Sequence, residues 1–169
     1  MDPNHYRFRD VWRLAAPAPI VYAALEDVQS YPLWWPEVRE ARPTGEDSGD
    51  VVLRALLPYR LVVGLVPSRR DPAAGVLEVT MRGDLNGWTR CTVTPDGPRG
   101  AGSRVLFEED ARPGRPLLRR FALPLHPLFR ANHAVMMRRG QRGLAAYLAG
   151  RGDGSGGGSN DRRRMTADR

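Results

Sequence analysis

The sequence predicts an α+β domain in which a single strand, two short helices and a six-stranded antiparallel meander are followed by one long C-terminal helix. Three observations carry this. Apolar residues alternate with period two in seven segments, an apolar stripe with helical spacing closes the globular part, and proline or glycine-rich turns punctuate the segments between. The chain has 169 residues, the size of one domain able to bury roughly 70 per cent of its unfolded surface. At 41% hydrophobic and 27% charged it reads as globular, neither disordered nor fibrous.

Residues 6–14, YRFRDVWRL, set Tyr6, Phe8, Trp12 and Leu14 on one face, as a half-buried strand requires. Pro17 and Pro19 end it. From Ile20 the spacing of Ile20, Val21, Ala24, Leu25 and Val28 is helical, a second short helix follows, and YPLWWPEV then packs two tryptophans between two prolines as an ordered aromatic elbow. Alternation resumes over 37–43, 51–57, 59–67, 75–82, 88–94 and 103–111, where odd positions such as Val51, Leu61, Val63, Met81, Cys91, Val105 and Phe107 are apolar, so one face of the sheet is expected to be buried. From Pro116 to Leu148 the pattern is helical again. Pro124 and Pro127 are expected to split it into a short lead-in helix and a long helix starting near Pro127. Six of the nine residues 150–158 are glycine and the rest of the end is polar and arginine-rich, which predicts a domain over 1–149 and a disordered tail over 150–169.

The net charge is +7 and every one of the 26 basic residues is arginine. Eight of them lie between Arg112 and Arg142 with no acid among them, but they spread around the helix instead of forming one stripe. Weak association with anionic surfaces fits this; specific nucleic-acid binding does not. No apolar run is long enough to span a bilayer, the chain opens on no signal-peptide pattern, and one cysteine cannot form an internal disulfide, so the protein is expected in the cytoplasm. His5, His126, His133 and Cys91 are scattered without ligand spacing, and no phosphate loop or nucleophile elbow occurs, so neither metal nor cofactor is expected.

The order of elements, together with YPLWWPEV, LLPYRL, GDLNGW, AGSRVLFEED and NHAVMMRRGQRGL, resembles the bacterial polyketide cyclase/dehydrase and lipid-transport group of the START and Bet v 1-like (SRPBCC) superfamily over about residues 6–149. The resemblance implies a helix-grip fold, a curved sheet wrapped around the last helix with an apolar cavity between them. It also implies a hydrophobic small-molecule ligand, with a minority of members cyclising or dehydrating aromatic polyketides.

Parity on the strands and the stripe of the last helix together predict a pocket lined by Tyr59, Leu61, Met81, Phe107, Phe129, Asn132, His133 and Met136, with Trp34 and Trp35 at its mouth or closing one end of the core. Glu109 shares the inner face with Val105 and Phe107, as Asp10 does with Phe8 and Trp12. First and last strands are neighbours in such a sheet, so the two carboxylates either come close together, an arrangement suited to general acid–base chemistry, or sit where the strands flare into solvent or pair with Arg112 or Arg9. Asn132 and His133 are either a hydrogen-bonding pair that orients a ligand or a satisfied core pair. Two functions follow. A carrier or sensor of a polyketide, isoprenoid or lipid-like molecule needs few polar groups and suits the apolar inner face. A cyclase or dehydratase would use Glu109 or His133 to remove a proton while Asn132 holds an enolate oxygen. Trp88 is expected on the outer face beside Arg82, across a hairpin centred on Leu85. Gly140 and Gly143 spell a GxxG that is read as close helix packing and not as a nucleic-acid clamp.

Overall fold

The computed structural model describes residues 5–54 and 60–153, the side chains of 116–126 and 153 excepted. Strand β1 (Tyr6–Leu14) leads through α1 (Ala18–Glu26), a 3-10 turn at Val28–Ser30 and α2 (Tyr31–Trp34) into the meander β2 (Val38–Pro43), β3 (Gly49–Leu53), β4 (Leu61–Asp71), β5 (Val76–Gly83), β6 (Leu85–Asp96) and β7 (Gly102–Pro113). Helix α3 (Pro116–Asp153) completes the chain. The seven strands form one antiparallel sheet in the order β1-β7-β6-β5-β4-β3-β2, so the first and last strands are neighbours.

Parity decides which side of the sheet is dry. Trp12, Leu14, Val51, Val63, Met81, Val93, Val105 and Phe107 belong to one buried cluster with Leu144 of α3, all on the predicted inner positions. Burying each large side chain of this kind contributes about 1.5–3 kcal/mol. Trp12 is the centre: its ring lies 4.4 Å from Phe107 and meets Trp35 edge-on at 5.4 Å. The two helix glycines let α3 approach these indoles. A Cβ on Gly140 would come within 2.6 Å of the Trp35 ring, and one on Gly143 would overlap the Trp34 carbonyl oxygen.

Four expectations need correction or a boundary. Helix α3 is one element of 38 residues that runs through Pro124 and Pro127 without a break. Proline's fixed φ lies in the helical range, so main-chain continuity on either side can carry a helix past such residues despite the lost hydrogen bonds. The helix also continues through Asp153, so 150–153 are helical, while the rest of the expected tail lies outside the described residues, as does Tyr59. Strand β4 starts at Leu61 and reaches Asp71, beyond the expected 59–67, with a register shift between Pro67 and Arg69 that accommodates the proline. Finally, Trp88 pairs with Thr80, not Arg82. Gly83, at φ +108°, turns the hairpin one position earlier than expected, and the cation over the indole is Arg90, 5.2 Å from the ring centre.

Candidate active site

The β1–β7 register sets Asp10 opposite Phe107 and Phe8 opposite Glu109, so the two inner-face carboxylates stand diagonally across neighbouring strands. Over them lies α3, whose stripe presents His133 at this height. The imidazole stacks on the Phe8 ring at 3.7 Å with an interplanar angle of 8°. Its Nδ1 is 3.5 Å from an Asp10 carboxylate oxygen and its Nε2 is 3.7 Å from one of Glu109. The His133 side chain is 10% exposed, yet its buried Nε2 has no hydrogen-bond partner among the described residues. The imidazole thus lies between two carboxylates, one facing each ring nitrogen, with the Nε2–Glu109 separation longer than a hydrogen bond.

Two cavities meet at this point. The larger, about 320 Å³, runs from Phe8, Asp10 and His133 beneath Tyr31 and Trp35 to the β2–β3 turn and the end of α1. The smaller, about 170 Å³, is lined by Leu61, Met81, Ala111, Phe129 and Asn132 among others. Phe8, Glu109, His133 and Met136, and across the sheet Val51, Leu53 and Leu65, belong to both walls. Cys91, on the inner face beside Phe107, lines the larger cavity; burial first and the Glu109 charge second push its thiol well above the usual range. Burial likewise pushes up the Tyr31 phenol, whose hydroxyl donates to the Leu25 carbonyl at 2.7 Å and ties the elbow to α1.

The residues expected to form one pocket are therefore divided. Leu61, Met81, Phe129 and Asn132 line the smaller cavity, Phe107 and Trp35 the larger, and His133 and Met136 both. Trp34 lines neither. It is buried against α3, with its Nε1–H donating to Ser30 Oγ at 3.2 Å, and so closes the core. Trp35 does both, since its Nε1–H reaches the Met136 carbonyl at 3.2 Å while its ring faces the cavity. Two features had not been drawn from the pattern: Asp10 as the carboxylate nearest His133, and the Phe8 ring beneath it. Period-two parity supplied their side of the sheet, but their contact with the helix depends on helix height, which no strand pattern encodes. The rim of the larger cavity was also missed. There Arg70 spans from Asp47 of the β2–β3 turn, at 2.8 Å, to Glu26 of α1, at 3.9 Å. Among the described residues no group of His, Cys, Asp and Glu converges as a metal site would need, and no helix is long and apolar enough to cross a membrane.

A curved antiparallel sheet gripping a C-terminal helix, with cavities between them, defines the helix-grip fold. Residues 6–149 match the family described as polyketide cyclase / dehydrase and lipid transport, and the chain belongs to it. No curated protein sequence matches it significantly. Among solved structures, a protein of Thermus thermophilus superposes with a TM-score of 0.74 at 16% identity, covering 86% of this chain and 99% of that one. The Zhui aromatase/cyclase of a Streptomyces species gives 0.71 at 13% identity, covering 90% and 99%. A norcoclaurine synthase point mutant of Thalictrum, in complex with a transition-state analogue, gives 0.59 at 14% identity, covering 86% and 96%. At such identities these likenesses speak for the fold.

Proposed function

We propose that the protein is an acid–base enzyme of the cyclase/dehydratase kind, acting on a hydrophobic carbonyl compound held between sheet and helix. The observation that carries this is the buried imidazole of His133, with Asp10 facing one ring nitrogen and Glu109 the other, where the two cavities meet. In this reading His133 takes a proton from the carbon next to a carbonyl, and the electron pair so released attacks a second carbonyl of the same molecule. The resulting alkoxide regains the proton, so ring closure consumes no co-reactant. Loss of water then removes a second proton from the carbon next to the carbonyl, again to His133, and the electron pair forms the double bond as the hydroxyl is protonated and leaves, a protonation within reach of Glu109 on the same wall. Asp10 faces the other ring nitrogen and holds the imidazole's orientation, as a positioning residue. Asn132 of the adjoining wall donates to an enolate oxygen.

A second reading, a carrier or sensor for the same class of molecule, is favoured by the scarcity of polar groups elsewhere on the described inner strands. The two readings part on kinetics. With an aromatic polyketide mimic, Glu109→Gln or His133→Ala in an enzyme leaves affinity nearly intact and slows turnover by about 100-fold or more. Asp10→Asn keeps part of the activity with an altered pH profile. In a carrier there is no turnover to lose, and Asn132→Ala or His133→Ala costs affinity by about 1–3 kcal/mol. Turnover that is absent from the intact protein, or indifferent to His133→Ala, overturns the enzymatic reading.

A further inference from the structure

The geometry points to a ligand whose reacting carbonyl lies inside the molecule, between a compact apolar arm the size of one six-membered ring and a longer arm that reaches a polar rim. This rests on the proton-transfer reading for the role of His133, but its evidence is the division of the cavity. If the polar group were terminal, a single chamber leading to His133 would serve. Instead two chambers adjoin at His133 along one wall, which holds Phe8, Glu109 and Met136 and, from β3 and β4, Val51, Leu53 and Leu65.

The chambers differ in size and chemistry. The smaller holds about 170 Å³, and an apolar cavity of about 150 Å³ is known to take up a single benzene ring. Beyond the shared wall, its sides include Leu61, Met81, Leu85, Ala111 and Phe129, and Ala111 is the least bulky of them. An apolar arm placed there leaves water without losing a hydrogen bond, whereas a charged arm would be stranded. The larger chamber holds about 320 Å³ and passes beneath Tyr31 and Trp35 to a rim that carries Arg42, Arg69, Arg70, Glu26 and Asp47. An arm directed that way can be longer and can end in polar groups.

The test uses ketones as probes: 1-phenyl-3-octanone, its 2-naphthyl counterpart with the bulkier ring, and 1-phenyl-3-dodecanone with the longer alkyl arm. Affinity is read from quenching of the tryptophan fluorescence. Lengthening the alkyl arm should leave binding equal or tighter, while naphthyl for phenyl should weaken it by about fivefold or more, since extra atoms in a packed apolar site are costly. Met81→Ala should recover the naphthyl ketone. Leu61→Phe, at a half-buried position that spares the fold, should weaken both phenyl ketones by a similar factor. Naphthyl binding as tight as phenyl, insensitivity to Leu61→Phe, or no binding of any of the ketones overturns the proposal. Deuterium uptake from D2O at the carbons flanking the carbonyl separates it from the reading on which it rests. Arm selectivity without accelerated exchange sustains the two-arm ligand and removes the proton-transfer role. Exchange that His133→Ala abolishes, without arm selectivity, does the reverse.

Discussion

Replacing Gly143 by alanine is expected to destabilise the protein, against the usual sign. In a helix interior alanine is favoured over glycine by about 1 kcal/mol, and Gly150 of the same helix shows the unobstructed case, with nothing within 4 Å of an added Cβ. At Gly143 that Cβ would overlap the Trp34 carbonyl oxygen and sit 2.8 Å from its carbonyl carbon. Main-chain atoms cannot rotate away. The helix or the elbow must therefore retreat by roughly 2 Å to restore ordinary contact of about 3.5 Å with that oxygen. Retreat strains the bonds that fasten the two, Trp35 Nε1–H to the Met136 carbonyl at 3.2 Å and Arg139 to the buried Glu37 carboxylate at 3.1 Å. Overpacking of this kind costs about 1–3 kcal/mol, and the strained bonds make good what the intrinsic alanine preference returns. For a domain of this size 1 kcal/mol moves Tm by about 2–4 °C, which gives a fall of about 3–10 °C. Thermal and urea unfolding followed by tryptophan fluorescence measure it. Gly140→Ala, which meets indole atoms of Trp35 and Trp12, should fall in the same direction, and Gly150→Ala should be neutral or slightly stabilising. A Gly143→Ala protein at least as stable as the parent would refute the close seating of α3.

Acid should unfold the protein through carboxylates that the fold holds low. Arg90 lowers Glu78 against partial desolvation, and Arg69 together with the Ala74 N–H lowers Asp71. Desolvation pushes Asp110 up, but His5 and Arg7 together pull it further down. A carboxyl lower in the folded than in the unfolded chain contributes stability that is complete above its unfolded pKa and is lost as pH falls through the folded one. Urea midpoints should thus hold down to about pH 5 and decline below it, with a shallower decline in Glu78→Gln; an unchanged slope refutes that pairing. Burial keeps Cys91 in its thiol form, so iodoacetamide at pH 8 should label the folded protein at least about 100-fold more slowly than the urea-unfolded chain. Equal rates would place Cys91 on the outside of the sheet.

Most of the fold was legible because period-two parity survives errors in strand ends. Expected and observed boundaries differ by several residues at β4 and β6, yet Met81, Phe107, Glu109 and Asp10 face inward as read, since adding residues to a strand's end leaves its faces unchanged. What failed depended on single positions. One glycine with positive φ moved the β5–β6 turn and exchanged Arg82 for Arg90 at Trp88. The prolines of α3 signalled a break that helical continuity on both sides overrode. Charges at the rim of the larger cavity belong to α1, the β2–β3 turn and β4, far apart in sequence, and nothing local announces that they meet.

The candidate site needed two kinds of information that the pattern holds separately. Strand parity gives the direction of Asp10 and Glu109; helical spacing gives that of His133; neither gives the distance between them. That distance follows from where α3 is allowed to touch. In its C-terminal half Gly140 and Gly143 bring the helix down onto Trp35, Trp12 and the Trp34 backbone, and Leu144 is fully buried. In its preceding turns Phe129, His133 and Met136 carry full side chains and line the cavities instead. The helix is pinned at one end and held off the sheet by its own side chains at the other, so the cavity is the wedge between the two. It follows that a substitution at Gly140 should disturb the site two turns away as well as the core beneath it. Lifting the pinned end changes the height of His133 over Asp10 and Glu109, and at separations of 3.5 and 3.7 Å a shift of roughly 1 Å decides whether either carboxylate can hold the ring.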